Sequence, residues 1–200
     1  MSDVKIFFAF PSTTYKTNLD VKNFSNIIND IPNLEFFGFK DSNHAASKTN
    51  ILDDYLIEKK MLTDKLNSVF GEYYDIKFKI TTSWITSLKS GAKGVFHKHS
   101  HSWYSGVFYF QEQSSGLEFK NPIERDIEIF SQKINRQYDV FQPEKGDLIF
   151  FPSYLQHGVQ GNPTMTTRHT LAFNIMPDGE AGWGDSKYVY WCNISGQSKS

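Results

Sequence analysis

The sequence predicts an α+β chain that is mainly β, with helices first and a strand-built sandwich or barrel after them. Two observations carry that reading. Apolar residues recur at helical spacing up to about Gly71, and from Tyr73 onward the pattern changes to short β-like runs bounded by turn residues. No helical segment separates those runs, which argues against a parallel α/β sheet. No internal repeat, low-complexity tract or linker divides the 200 residues. One domain spanning 1–200 is therefore expected, with 1–71 as a partly helical support and 72–200 as the β core.

In the first zone Val21, Phe24, Ile27 and Ile28 share a helical face before Pro32 stops the segment. Leu52, Tyr55, Leu56, Leu62, Leu66, Val69 and Phe70 do the same over a longer helix. Asp53 and Asp54 fall in its early turns and Gly71 follows its end. Both stripes read as helix faces packed on a sheet. The predicted strands are Ile76–Leu88, Val95–His99, Gly106–Phe110, Leu117–Phe119, Tyr138–Phe141, Leu148–Phe151 and Arg168–Ile175. Turns at Ser90-Gly91, Ser114-Ser115-Gly116, Asn121-Pro122, Pro143–Gly146 and Gly161-Asn162-Pro163 separate them.

Composition narrows the function classes. A formal net charge of -1 and a pI near 6.6 provide no global field for nucleic acid or an anionic membrane. The 18 Phe and 10 Tyr argue for a packed core. The single cysteine, Cys192, can form no intramolecular disulfide and reads as a packed side chain of a protein in a reducing compartment. The apolar run Ile6–Phe10 is too short for a signal peptide and Pro11 ends it; no stretch reaches membrane-spanning length. A soluble, cytoplasmic protein is expected.

Five of the six histidines lie between 97 and 169. Alternate residues of a strand share a face, so His97, His99 and His101 of His97-Lys98-His99-Ser100-His101 can point the same way. Two such imidazoles and a third from a distant strand would hold one metal on three sides and leave other positions open. His157 fits that third place: it follows Gly146–Pro152, a strand ended by proline, and precedes Gly158. His101 is a rival for one of the two strand positions. His44, in the polar segment from Asp41, reads as a surface residue. His169 should face away from the site.

In the strand from Arg168, the residues Arg168, Thr170, Ala172 and Asn174 share one face, and His169, Leu171, Phe173 and Ile175 the other. The second face is the apolar one and should pack beneath the helices. Arg168 then points into the barrel, where an unpaired cation is costly. A ligand carboxylate gripped by the guanidinium, with Thr170 adding a hydrogen bond, would satisfy it. A salt bridge to a distant acid such as Asp147 is the structural alternative. Trp84, Trp103 and Tyr104 lie near the expected mouth, as substrate-stacking or as ordinary packing residues.

Taken together, His97-Lys98-His99, His157 and Arg168 with Thr170 resemble the iron(II)/2-oxoglutarate-dependent oxygenase superfamily, whose usual order is H-x-D/E, H, R-x-S/T. More narrowly, the chain is similar to compact oxygenases of this kind from bacteriophages and marine bacteria. The residues that carry the likeness are His97-Lys98-His99, Ser105–Tyr109, Phe151-Pro152-Ser153, His157 and Arg168 through Asn174. It extends to the start at Ile6–Lys16 and the Ser42-Asn43 loop. The resemblance implies a double-stranded β-helix, the jelly-roll or cupin-like barrel, with helices packed on one sheet. It implies Fe(II) held by His97 and His157, and 2-oxoglutarate as cosubstrate with its far carboxylate on Arg168, helped by Thr170 and Tyr109. O2 is the co-reactant, and hydroxylation with release of succinate and CO2 is the reaction. His99 stands where the family has an acid, which implies either three imidazole ligands or an outer role for His99.

Two other readings stand beside it. A three-histidine cupin dioxygenase would need no 2-oxoglutarate, and Gly91, six residues before His97, with Gly146, Pro152 and His157 follows cupin-like spacing. A non-catalytic metal-binding β-helix module would account for position 99. The substrate, whether a protein side chain, a nucleobase or a small metabolite, is not encoded in any motif.

Overall fold

The computed structural model describes residues 5–9, 12–38, 44–112, 115–122, 138–181, 185 and 189–190. The expectations for Cys192, for the Ser42-Asn43 loop, for Ser114 and for the Phe10-Pro11 end of the first apolar run lie outside the described residues. Strands β1 (Lys5–Ala9) and β2 (Ser12–Asn18) come first. A 3₁₀ turn (Val21–Phe24), helix α1 (Ser25–Asp30) and a second turn (Ile31–Asn33) follow, then β3 (Phe36–Gly38) and β4 (His44–Ser47). A turn over Ile51–Asp54 leads into α2 (Leu56–Phe70). The core strands are β5 (Lys77–Leu88), β6 (Gly94–His97), β7 (Tyr104–Tyr109), β8 (Leu117–Lys120), β9 (Tyr138–Phe141), β10 (Asp147–Pro152), β11 (His157–Val159) and β12 (Arg168–Asp178), and a short pair β13 (Glu180–Ala181) and β14 (Val189–Tyr190) comes last.

The large sheet has the order β1-β2-β10-β7-β12-β5-β4-β3, the small one β6-β11-β8-β9, and every pairing described is antiparallel. From β5 onward the chain passes back and forth between the two sheets, which is the winding of a double-stranded β-helix. The predicted core strands all form, within a few residues. The first zone differs more. It contains β1 to β4 as well as helices, and these strands extend the large sheet at both edges. Polar β2 has no strand-like alternation of apolar residues, so only the edge of β10 reveals its place. The long helical stripe breaks at Tyr55, whose backbone is non-helical, and Asp53 and Asp54 sit in the turn before α2.

Strand alternation divides the core in two. Leu148 and Phe150 of β10 and Leu171, Phe173 and Ile175 of β12 face α1 and α2, where they bury Phe24, Ile27, Leu62, Leu66 and Phe70. The Asn67 side chain clamps α2 to β5, accepting from the Phe78 N–H at 2.7 Å and donating to the Phe78 carbonyl at 2.9 Å. The opposite faces contribute Tyr109, Ile149 and Phe151, which meet Leu117, Phe119 and Leu155 between the sheets. That smaller cluster fills only part of the barrel; the rest is a cavity. Among the described residues no helix is long and apolar enough to cross a membrane.

At Gly106 of β7 a close approach demands the missing side chain. A Cβ there would overlap the ring of Phe173, its cross-strand partner, which is fully buried. Gly106→Ala should destabilise the protein by about 1–3 kcal/mol, the usual cost of overpacking. A chemical denaturation curve with an unchanged midpoint would show that the ring can yield.

Candidate metal centre

The cavity has a volume of about 510 Å³, within the range for a small-molecule site. The large sheet supplies its floor in cross-strand rows. His44 of β4 and Arg168 of β12 both pair with Leu88 of β5, one on each side. The next row is Ala46, Thr86, Thr170 and Tyr109, then Trp84, Ala172 and Val107, then Thr82, Asn174 and Ser105. Successive rows are two residues apart, about 6.8 Å.

The small sheet supplies the imidazoles. His97 ends β6 and His157 opens β11, and the two are directly paired across the ladder, so their side chains converge. His99 lies just past β6, with its backbone N–H bonded to the Ser153 carbonyl at 3.0 Å. Ring centroids are 4.5 Å apart for His97 and His157, 5.0 Å for His97 and His99, and 5.2 Å for His99 and His157. One ring nitrogen from each lies within 4.8 Å of the others. The structure brings these three together. It leaves His101 outside, in a loop with φ 61° and exposed.

The hydrogen bonds select the tautomers. Nδ1 of His97 lies 2.8 Å from the Val95 carbonyl and Nδ1 of His157 lies 2.9 Å from the Leu155 carbonyl. A carbonyl only accepts, so each Nδ1 carries the proton and each Nε2 presents a lone pair. That is the arrangement by which outer partners orient metal-bound histidines. Burial, reinforced by His97, lowers the pKa of His157 to about 3 and that of His99 to about 4. Both are held neutral at physiological pH, the form that binds metal.

Arg168 is buried, and its Nη1 donates to Ser115 Oγ at 2.7 Å and toward the Ser115 carbonyl at 3.4 Å. Among the described residues no carboxylate bonds it. Asp147 is engaged elsewhere, by Lys16 at 2.8 Å, so it is not the acid that pairs Arg168. The Tyr109 ring lies 5.8 Å from the guanidinium carbon, and its hydroxyl is buried with no hydrogen-bond partner among the described residues. Burial raises the Tyr109 pKa, with Arg168 opposing, so the phenol keeps its proton and can donate. Thr170 lines the cavity, but its hydroxyl is paired with Thr86.

Several expectations change. His44 is not a surface residue: it is buried and lines the cavity, and burial, His97 and Arg168 lower its pKa to about 4. The sequence hid this because β4 is recognisable only through its pairing with β5. In the sequence Ser115 is only part of a turn; no local pattern shows that the turn folds over Arg168. Of the three aromatic residues at the expected mouth only Trp84 lines the cavity. Tyr104 packs on Phe70 and Trp103 on Phe78, on the helix side. His169 does face away and touches Phe36.

The lowered histidine pKa values set a pH dependence. An unfolded histidine takes up its proton near pH 6.5, whereas His157 resists until about pH 3 and His44 and His99 until about pH 4. The unfolded state therefore binds more protons in this window, and metal-free protein should lose stability as pH falls from about 6.5 toward 4. Replacing His44 by Gln should flatten that loss, as read from denaturation midpoints across the window. A midpoint independent of pH would contradict the buried neutral histidines.

Residues 82–174 match the family model described as "Putative 2OG-Fe(II) oxygenase". No curated protein matches the chain. Among solved structures, a 2OG-Fe(II) oxygenase family oxidoreductase from Burkholderia pseudomallei is 14% identical, with a TM-score of 0.62 over 81% of this chain and 83% of that one. HygX from Streptomyces hygroscopicus, solved with nickel and 2-oxoglutarate bound, is 10% identical, with a TM-score of 0.63 over 86% and 85%. The non-heme alpha ketoglutarate dependent epimerase SnoN from nogalamycin biosynthesis is 10% identical, with a TM-score of 0.63 over 84% and 77%. At these identities the structures establish the shared fold. The family match runs from within β5 to within β12, the segment that contains the three clustered histidines, Tyr109 and Arg168. Over that segment the chain resembles the iron(II)/2-oxoglutarate-dependent oxygenases, and it shares the fold of their solved members.

Proposed function

We propose that the chain is an iron(II)- and 2-oxoglutarate-dependent dioxygenase that hydroxylates its substrate and releases succinate and CO2. The observation that carries this reading is Arg168: a buried guanidinium without a carboxylate partner among the described residues, in the same cavity as the imidazole cluster and beside the orphaned Tyr109 hydroxyl. A buried cation and a buried unsatisfied donor both call for an anionic acceptor. The far carboxylate of a five-carbon diacid supplies one. The donor set fits the metal, since imidazole suits iron and three ligands on one side leave positions open. HygX was solved with nickel and 2-oxoglutarate in a fold of this kind.

In this reading His97, His99 and His157 hold the iron through their unprotonated nitrogens, and the Val95 and Leu155 carbonyls fix two of the rings. When bound, iron with 2-oxoglutarate supplies the oxidising chemistry, which the side chains present here cannot perform. Arg168 binds the far carboxylate, Ser115 steadies the guanidinium, and Tyr109 donates to the same group. Thr170, tied to Thr86, bounds that end of the cavity and can turn its hydroxyl toward the carboxylate. Phe119 and Phe151, packed around His157, shield the inner side of the site from water.

The three-imidazole set also suits a dioxygenase that uses no cosubstrate. Omission decides between them: succinate should form from 2-oxoglutarate in air only when iron(II), 2-oxoglutarate and intact Arg168 are all present. Oxygen uptake that is indifferent to 2-oxoglutarate would favour the second reading.

A further inference from the structure

The two rows of the cavity floor farthest from Arg168 carry their own recognition chemistry. Trp84 is half-buried there and lines the cavity, with His99 stacked on it at 5.3 Å and 29°. Beyond it Asn174 is held rigidly. Its Nδ2 donates to Thr82 Oγ1 at 2.8 Å, and its Oδ1 accepts from Ser105 Oγ at 3.2 Å. Ser105 is in turn fixed by Ser153 at 2.8 Å. The amide thus keeps one N–H and one oxygen lone pair uncommitted among the described residues. An oriented amide beside a flat aromatic surface reads an uncharged planar group that offers both a donor and an acceptor along its edge.

Charge points the same way. Among the described residues that line the cavity none is Asp, Glu or Lys, so a cationic group would have no counter-charge. Among the same described residues the one permanent cation, Arg168, is six residues along β12 from Asn174, about 20 Å of strand. An anionic group at the Asn174 end would be equally unpartnered.

We propose that the Trp84 and Asn174 end of the cavity is the primary-substrate subsite and that it takes an uncharged, amide-bearing planar ring, with Trp84 as the stacking surface and Asn174, set by Thr82 and Ser105, as the hydrogen-bonding edge. The proposal rests on the reading of Arg168 as the cosubstrate end.

The test uses protein loaded with zinc(II), which does not turn over, and 2-oxoglutarate. Ligand-observed NMR compares three flat probes: uracil, benzoate and benzamidine. Uracil should bind at least about tenfold more tightly than either charged ring. Trp84→Ala and Asn174→Leu should each weaken uracil by about tenfold, the scale of one stacked ring or one lost hydrogen-bonding edge. Thr82→Val, which loosens Asn174 without removing it, should give a smaller loss. Calorimetry on the same variants should return a 2-oxoglutarate affinity within about twofold of wild type, which also reports that they fold. Preference for benzoate or benzamidine, no uracil binding, or variants indifferent to uracil would overturn the proposal while 2-oxoglutarate still binds. Loss of 2-oxoglutarate binding by the wild-type protein would instead overturn the functional reading, and this subsite with it.

Discussion

His157→Ala is expected to abolish tight metal binding. His157 is the buried member of the triad, paired across the ladder with His97 and oriented by the Leu155 carbonyl. Disturbing a partner behind a ligand typically costs about 10–100-fold in metal affinity, so removing the ligand should cost at least about a hundredfold. Titration of iron(II) without oxygen, or of manganese(II), measures this. His97→Ala should behave similarly. His101→Ala, in the exposed loop, should bind as wild type does. Wild-type affinity in His157→Ala would remove the metal centre from this cavity. His99→Asp is informative beside them, because it restores the acid that the superfamily usually has. It should keep metal binding, whereas His99→Ala should weaken it.

The second large effect is expected at Arg168. Lysine keeps the charge but loses the planar fork and the geometry that Ser115 now holds. Truncating or misplacing one member of a buried charge pair costs about 2–5 kcal/mol. Arg168→Lys should therefore weaken 2-oxoglutarate about thirtyfold or more. Metal affinity should be nearly unchanged, since Arg168 is not among the clustered donors. Calorimetric titration of 2-oxoglutarate into manganese-loaded protein without oxygen reads the first, and titration of manganese(II) into metal-free protein reads the second. Equal 2-oxoglutarate affinity in the two proteins would favour the cosubstrate-free dioxygenase. Tyr109→Phe is a milder companion: it deletes the buried hydroxyl beside Arg168 and should reduce 2-oxoglutarate affinity without touching the metal.

The clustering of His97, His99, His157 and Arg168 was legible because a strand has a period of two, and the roles proposed for them rest on residue type at fixed spacing. His97, His99, His157 and Arg168 all occupy one cavity, as that spacing suggests. Exceptions are instructive. His99 follows the end of β6, so it reaches the cluster through a loop anchored to Ser153 and not by strand alternation. Thr170 shares the inward face of Arg168, yet its hydroxyl is taken by Thr86, a partner one strand away that no local pattern names.

The sequence by itself determined the mainly β class, the positions of the core strands, the inward and outward faces of β12, and a short set of candidate metal ligands in which His99 and His101 remained rivals. These follow from local periodicity, turn chemistry and donor type, all of which act within a few residues. Only the tertiary structure decided that His44 enters the cavity, that Ser115 caps Arg168, that Lys16 takes Asp147, that Trp84 and not Trp103 or Tyr104 faces the site, and that Thr82, Ser105 and Ser153 fix Asn174. Each of these depends on which strands become neighbours across the sheets. That pairing is selected by burial of the whole core at once, by residues far apart in the chain, so no short stretch of sequence contains it.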